Sequence, residues 1–240
     1  MNGMPTQLRR ETLPEQVADQ LIALIERDNL VPGTILPSEG KLAQEFGVSR
    51  PVVREALRTL AAKDVIAVAN GKGAIVRPIT SQPLRDFFQR ALRNRHATAI
   101  ELLEVRKGIE VQSATLAAQR RTASELSELR RILPALGEAL HDSAAFVSID
   151  TQFHLLVAAA SHNKMLSHLI ESIREPMQES MRAVSRRRVT EEQHTFALIA
   201  HARIVDAIER AAPQAAGTAM AAHFDVAISL VQVDADNEVA

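Results

Sequence analysis

Apolar residues recur at helical spacing along most of the chain. Over Leu13–Leu30, Val17, Leu21, Leu24 and Ile25 fall on one face, which predicts an amphipathic helix. Pro14 suits its first turn. Pro32-Gly33 then marks a turn. Ser38 stands where a short helix over 39–46 needs its N-cap, and Gly47 stands where that helix must end. Ser49 is placed to cap the next helix, which tolerates Pro51 in its first turn and runs to about Lys63.

The period then changes. Two short β-prone runs, Val65–Ala69 and Ala74–Arg77, flank Asn70-Gly71, the strongest short-range hairpin signal. Gly73 adds a second flexible point, so the loop can exceed two residues. From Ser81 onward, long helical patterns follow one another. They break at Arg95-His96, Arg121-Thr122, His141-Asp142, Ser161-His162, Arg188-Val189 and Ala212-Pro213, which predicts about seven helices. Thr190–Gln193 reads as a capping box, and Pro176 predicts a kink inside its helix. The fold class is therefore mainly α. An N-terminal winged helix-turn-helix of three helices plus a β-hairpin precedes an all-α bundle.

Composition narrows the partners. The 240 residues exceed what one small core needs, so two domains are expected. There is no cysteine, hence no disulfide and no thiolate ligand for a metal. The first residues lack the apolar core of a secretory signal, and no run approaches the ~20 apolar residues of a membrane span, so the protein is expected in the cytoplasm. Net charge is −1, and residues 1–78 carry ten Lys/Arg against nine Asp/Glu. A nucleic-acid footprint must therefore come from arrangement rather than bulk charge. With no Trp or Tyr, the chain lacks the stacking platforms of single-strand binders.

That arrangement is present in the third helix. Arg50, Arg54 and Arg58 are four residues apart and form one positive stripe. A charge stripe is usually a solvated face. Here it lies on the third helix of a winged helix-turn-helix order, the helix that enters a major groove by its N-terminal end. Arg50 and Arg54 can then reach phosphates or a guanine edge, Ser49 a phosphate, and the Asn70–Gly73 tip can approach the backbone closely.

A second constellation lies in the later helices. Asp150 and His154 stand at i and i+4 and share one helix face. His201 and His223 sit among apolar residues on two further helices. A lone histidine on an apolar face is more often part of a core. Together, one carboxylate and three imidazoles form an N/O donor set that suits Zn²⁺, with Ni²⁺ or Mn²⁺ as alternatives, and leaves positions open. Two Glu-x-x-His pairs, Glu138/His141 and Glu191/His194, match the di-metal carboxylate motif, but both fall at helix ends.

The segments "LPSE", "LAQEFGVSR", "VREAL" and "GKGAIV" resemble the winged-helix domain of the GntR transcription regulators. The segments "ELLEVRKGIE", "DTQFHLLVAAASHN", "HARIVDAIE" and "MAAHF" are similar to the FCD effector domain of the FadR-type branch. The resemblance implies DNA contacts at Ser49, Arg50, Arg54, Asn70 and Gly71. It implies metal ligation by Asp150, His154, His201 and His223, and an effector-binding arginine at Arg106 in place of a plain ion pair with Glu110. The family pattern has a DNA-contacting arginine directly after "LPSE"; this chain has Gly40 there, followed by Lys41.

The resemblance divides the chain into a DNA-binding domain over 1–78, a linker over 79–84 and an FCD-like effector-binding and dimerisation domain over 85–235. The function implied is a metabolite-responsive regulator and repressor. It would act as a homodimer on palindromic operator DNA, with one divalent metal ion per chain and a small organic acid as effector. The alternatives are a metal-dependent enzyme on a helical bundle, or a regulator whose metal is purely structural. An enzyme would need a general base beside a metal-bound water, and no further acid stands out near the ligands.

Overall fold

The computed structural model describes residues 11–69, 73–93, 98–185 and 191–239. The chain divides into two compact units, Met1–Pro83 and Leu84–Ala240.

In the first unit three helices precede a hairpin: α1 (Leu13–Arg27), α2 (Glu39–Phe46), α3 (Arg50–Ala62), β1 (Ile66–Ala69) and β2 (Gly73–Val76). Thr12 and Glu15 close the N-terminus of α1 as a reciprocal capping box. Ser38 caps α2 by accepting from the Lys41 N–H. Gly47 ends α2 at φ 64°, a left-handed conformation that glycine adopts without strain. This bend turns the chain into α3. Leu21, Leu42, Val53, Leu57 and Leu60 fill the core between the three helices.

The hairpin strands pair antiparallel, Ile66 with Val76 and Ala69 with Gly73. The far edge of β2 is also covered. Leu36 donates to the Ala74 carbonyl at 2.8 Å, and the Val76 N–H donates to the Thr34 carbonyl at 2.9 Å. Asn70 and Gly71 lie outside the described residues.

The second pattern resolves into α4 (Gln82–Arg93), α5 (Ala99–Arg120), α6 (Ala123–Glu138), α7 (Ser143–Ala160), α8 (Lys164–Ser185), α9 (Glu191–Glu209) and α10 (Pro213–Val239), seven helices among the described residues. The turns at Thr122, Asp142, His162 and Pro213 fall where the pattern breaks, and His162 and Ala211 take positive φ there. Thr190 of the expected capping box is outside the described residues. Pro134 and Pro176 both lie inside helices, α6 and α8.

Helix α5 is central. It packs against α10, α7, α8 and α9, while α6 packs against α7 and α9. Gly217 of α10 makes the α5 approach close: a Cβ there would stand 2.7 Å from Thr115 Oγ1. Leu103, Phe153, Ile173, Ile204, Ile208 and Phe224 are among the buried side chains of this core. No helix among the described residues is long and apolar enough to cross a membrane.

Candidate functional site

Helix α7 carries Asp150 and His154 on one face, α9 brings His201, and α10 brings His223. One donor atom from each of the four lies within 4.8 Å of all the others. His154 and His201 are fully enclosed, while Asp150 and His223 are partly accessible. The ring centroids stand 6.0 Å apart for His154–His201, 5.2 Å for His154–His223 and 4.6 Å for His201–His223. Phe153 and Phe224 pack edge-on or tilted against these rings and exclude water from one side.

The outer contacts fix how the rings face. His201 Nδ1 donates to the Ala197 carbonyl of its own helix at 2.7 Å. Its Nε2 therefore points at Asp150 Oδ1, 2.9 Å away. His154 Nδ1 donates to the buried Glu110 carboxylate of α5, and its Nε2 is 3.7 Å from the same Asp150 oxygen. Two imidazoles thus present Nε2 to one carboxylate oxygen. Each is oriented through its other nitrogen, as metal-ligating histidines usually are.

Charge follows the same geometry. Burial lowers the His154 pKa, but the Glu110 and Asp150 carboxylates outweigh it and raise the group to about 9. His223 is held well below the ordinary imidazole range by burial and by the neighbouring His201 and His154. Burial works to raise Asp150, yet the two histidines hold it well below the usual carboxylate range. Imidazole nitrogens and one carboxylate oxygen converging at this spacing fit a divalent ion that accepts N and O ligands.

Arg106 stands one helical turn before Glu110. Its Nε donates to Glu110 Oε1 at 2.7 Å, and its guanidinium lies 5.1 Å from the Phe224 ring centre. The ion pair weighed from the sequence is thus present. Glu110 also accepts from His154 Nδ1, a link that no sequence spacing reveals. The signal that the sequence does carry is a glutamate on the buried face of α5, in step with Leu103 and Ala117.

Glu138 and His141 lie at the α6–α7 turn and are not among the four clustered donors.

In the first unit, Ser49, Arg50 and Arg54 are all exposed at the start of α3. Ser49 occupies the N-cap position, but its side chain makes no capping bond. Arg54 donates through Nε and Nη2 to both oxygens of Glu39, at 3.2 and 2.8 Å. Arg58 pairs with Glu55 at 3.3 Å on the same helix.

Residues 13–76 match the gntR family of bacterial regulatory proteins, and residues 101–226 match the FCD domain. The chain is 32% identical to the HTH-type transcriptional regulator LutR of Bacillus subtilis over 84% of its own length and 93% of that protein. The chain belongs to the GntR family. Its FCD domain is of the kind that follows the FadR-type reader, and the family and these relatives are transcription regulators, so the chain is a regulator and not an enzyme.

The galactonate operon transcriptional repressor of Escherichia coli is 34% identical to this GntR regulator over 58% of this chain and 62% of that one. A solved Streptococcus agalactiae GntR structure superposes with a TM-score of 0.72 at 27% identity, covering 90% of this chain and 99% of that one.

Proposed function

We propose that this GntR regulator is a repressor that binds a palindromic operator as a homodimer and is released by a small carboxylate effector bound at a divalent metal ion. The proposal assigns DNA binding to residues 1–78 and effector binding and dimerisation to residues 85–235, joined by a linker over 79–84.

The observation that carries it is the convergence of Asp150, His154, His201 and His223, with two rings turned by Glu110 and the Ala197 carbonyl to offer Nε2. These four residues would hold the ion, Zn²⁺ first, with Ni²⁺ or Mn²⁺ as alternatives. Bound there, the ion would supply net positive charge, and a shell expanded beyond the four protein ligands would admit an anionic oxygen. Arg106 keeps its terminal nitrogens free of hydrogen bonds among the described residues, so it can hold the far end of a carboxylate while Nε stays on Glu110. A relative named for a galactonate operon, galactonate being a carboxylate, supports an acid effector.

On the DNA side, Ser49, Arg50 and Arg54 are exposed at the entry end of α3, as a major-groove reader requires. Asn70 and Gly71, which follow β1 in sequence, complete the assigned contacts.

The test combines metal analysis with operator binding. Purified, dialysed protein is expected to carry close to one divalent ion per chain. Operator affinity is then measured with and without the best organic acid from a thermal-shift screen. A loss of affinity of roughly 5–150-fold is expected in the wild type and not in His201→Ala. An equal response in both proteins would show that the metal is not the sensor.

A further inference from the structure

The first turn of α2 is where the two exposed arginines of the recognition helix come to rest. Arg54 lays Nε and Nη2 on the two oxygens of Glu39. Arg50 lies over the neighbouring residue: a Cβ on Gly40 would stand 3.2 Å from Arg50 Nη2 and 3.5 Å from its Cζ. The guanidinium therefore lies against the space that a side chain at position 40 would enter, and it would have to give by a few tenths of an ångström to admit a methyl group.

The charges make this arrangement selective. Glu39 is held below the ordinary carboxylate range by Arg54 first, and then by the charges of Arg50 and Arg58. Glu39 thus feels the charges of the whole stripe, although Arg58 pairs with Glu55 on its own helix. Non-specific affinity for DNA comes from phosphate neutralisation, so this carboxylate subtracts from it. A guanine edge instead offers two acceptors in a fixed plane and rewards an arginine already held in one orientation. Holding the arginine also lowers the side-chain entropy lost on contact.

We propose that the Glu39–Gly40 step sets the sequence specificity of the recognition helix: Glu39 holds Arg54 in one posture, and Gly40 leaves the space that the Arg50 guanidinium takes. Glu39 and Gly40 are positioning residues here; the base and phosphate contacts remain those of the arginines. The proposal rests on DNA reading by α3.

The test uses the full chain and a duplex that the wild-type protein selects from a randomised library. Affinity for this duplex and for a scrambled one of equal length is measured at several salt concentrations. Glu39→Gln removes the charge and keeps the shape. It is expected to raise scrambled-duplex affinity about threefold or more and to steepen the salt dependence by about one unit of slope, while the selected duplex gains little. Glu39→Asp keeps the charge but is too short for both nitrogens, so its salt slope stays at the wild-type value while its preference for the selected duplex still falls. Gly40→Ala is expected to weaken the selected duplex about fivefold and leave the scrambled one unchanged, because a methyl carbon 3.2 Å from Arg50 Nη2 shifts the guanidinium from its resting place.

Ratios within twofold of wild type in all three variants, each folded by circular dichroism, would overturn the proposal. Full wild-type preference in Glu39→Asp would overturn the posture of Arg54. Wild-type binding of the selected duplex by an Arg50→Ala/Arg54→Ala double variant would instead overturn the reading of α3 on which the proposal stands, and this proposal with it.

Discussion

Glu110 of α5 reaches across the bundle to the Nδ1 of His154 on α7, so a residue outside the donor set decides which nitrogen the ring offers. Removing such an outer partner typically costs ~10–100-fold in metal affinity. Glu110→Ala is expected to weaken the ion by that order in a competition titration with a chromophoric chelator. Affinity equal to wild type would show that α7 alone orients the ring.

Metal uptake should displace a proton. With its pKa raised to about 9 in the metal-free chain, His154 is an imidazolium at neutral pH, and Nε2 must lose its proton to become a ligand. Calorimetric titration with Zn²⁺ in two buffers of different ionisation heat is expected to show roughly one proton released at pH 7. No dependence on the buffer would contradict this.

The same group sets the stability of the metal-free protein. Its folded pKa of about 9 lies above the ordinary 6.5. Its contribution is therefore fully present below 6.5 and is lost as pH rises through about 9. Asp150 has the opposite sign: its pKa is lowered on folding, so its contribution is present above the ordinary carboxylate range and fades in acid. Urea denaturation of chelator-treated protein is expected to show a drop between neutral and alkaline pH that is smaller in His154→Gln. Equal drops would remove His154 as the cause.

Gly217→Ala tests the close approach of α10 to α5. The added methyl carbon would stand 2.7 Å from Thr115 Oγ1, which itself donates to the Val111 carbonyl at 2.8 Å. A cost of ~1–3 kcal/mol is expected from such overpacking. Thr115→Ala in the same chain is expected to restore part of the loss in thermal denaturation, and no recovery would place the strain elsewhere.

For Arg50 and Arg54, replacement of either by Ala is expected to cost ~1–3 kcal/mol of operator binding if it reads a base. Binding isotherms at several salt concentrations separate the two possible roles. A phosphate contact lowers the salt slope by about one and weakens all sequences alike.

Much of this was legible because it is local. Ser38, Gly47 and Pro51 mark element ends by chemistry that needs no tertiary context, and the Asn70-Gly71 step sits between two runs that do pair. The four clustered residues were legible only as candidates, since each histidine alone reads as part of a core and the set came from the family resemblance. The links across helices were not legible. Glu110 and His154 lie 44 residues apart, and Glu39 and Arg54 lie 15 apart. Neither separation has a period, so only packing reveals which carboxylate meets which cation. Arg106 shows the boundary: its i+4 partner was in view, but the further step from that partner to His154 was not.

The order of the donors along the chain has a kinetic consequence. Asp150 and His154 come from α7, His201 from α9 and His223 from α10, with the whole of α8 intervening. No fragment that stops before α10 holds the full set. A refolding chain must close these long loops against their entropy before the four atoms meet. On the reading proposed above, the complete site therefore exists only once α7, α9 and α10 have met, and an ion held by all four residues would tie those three helices together.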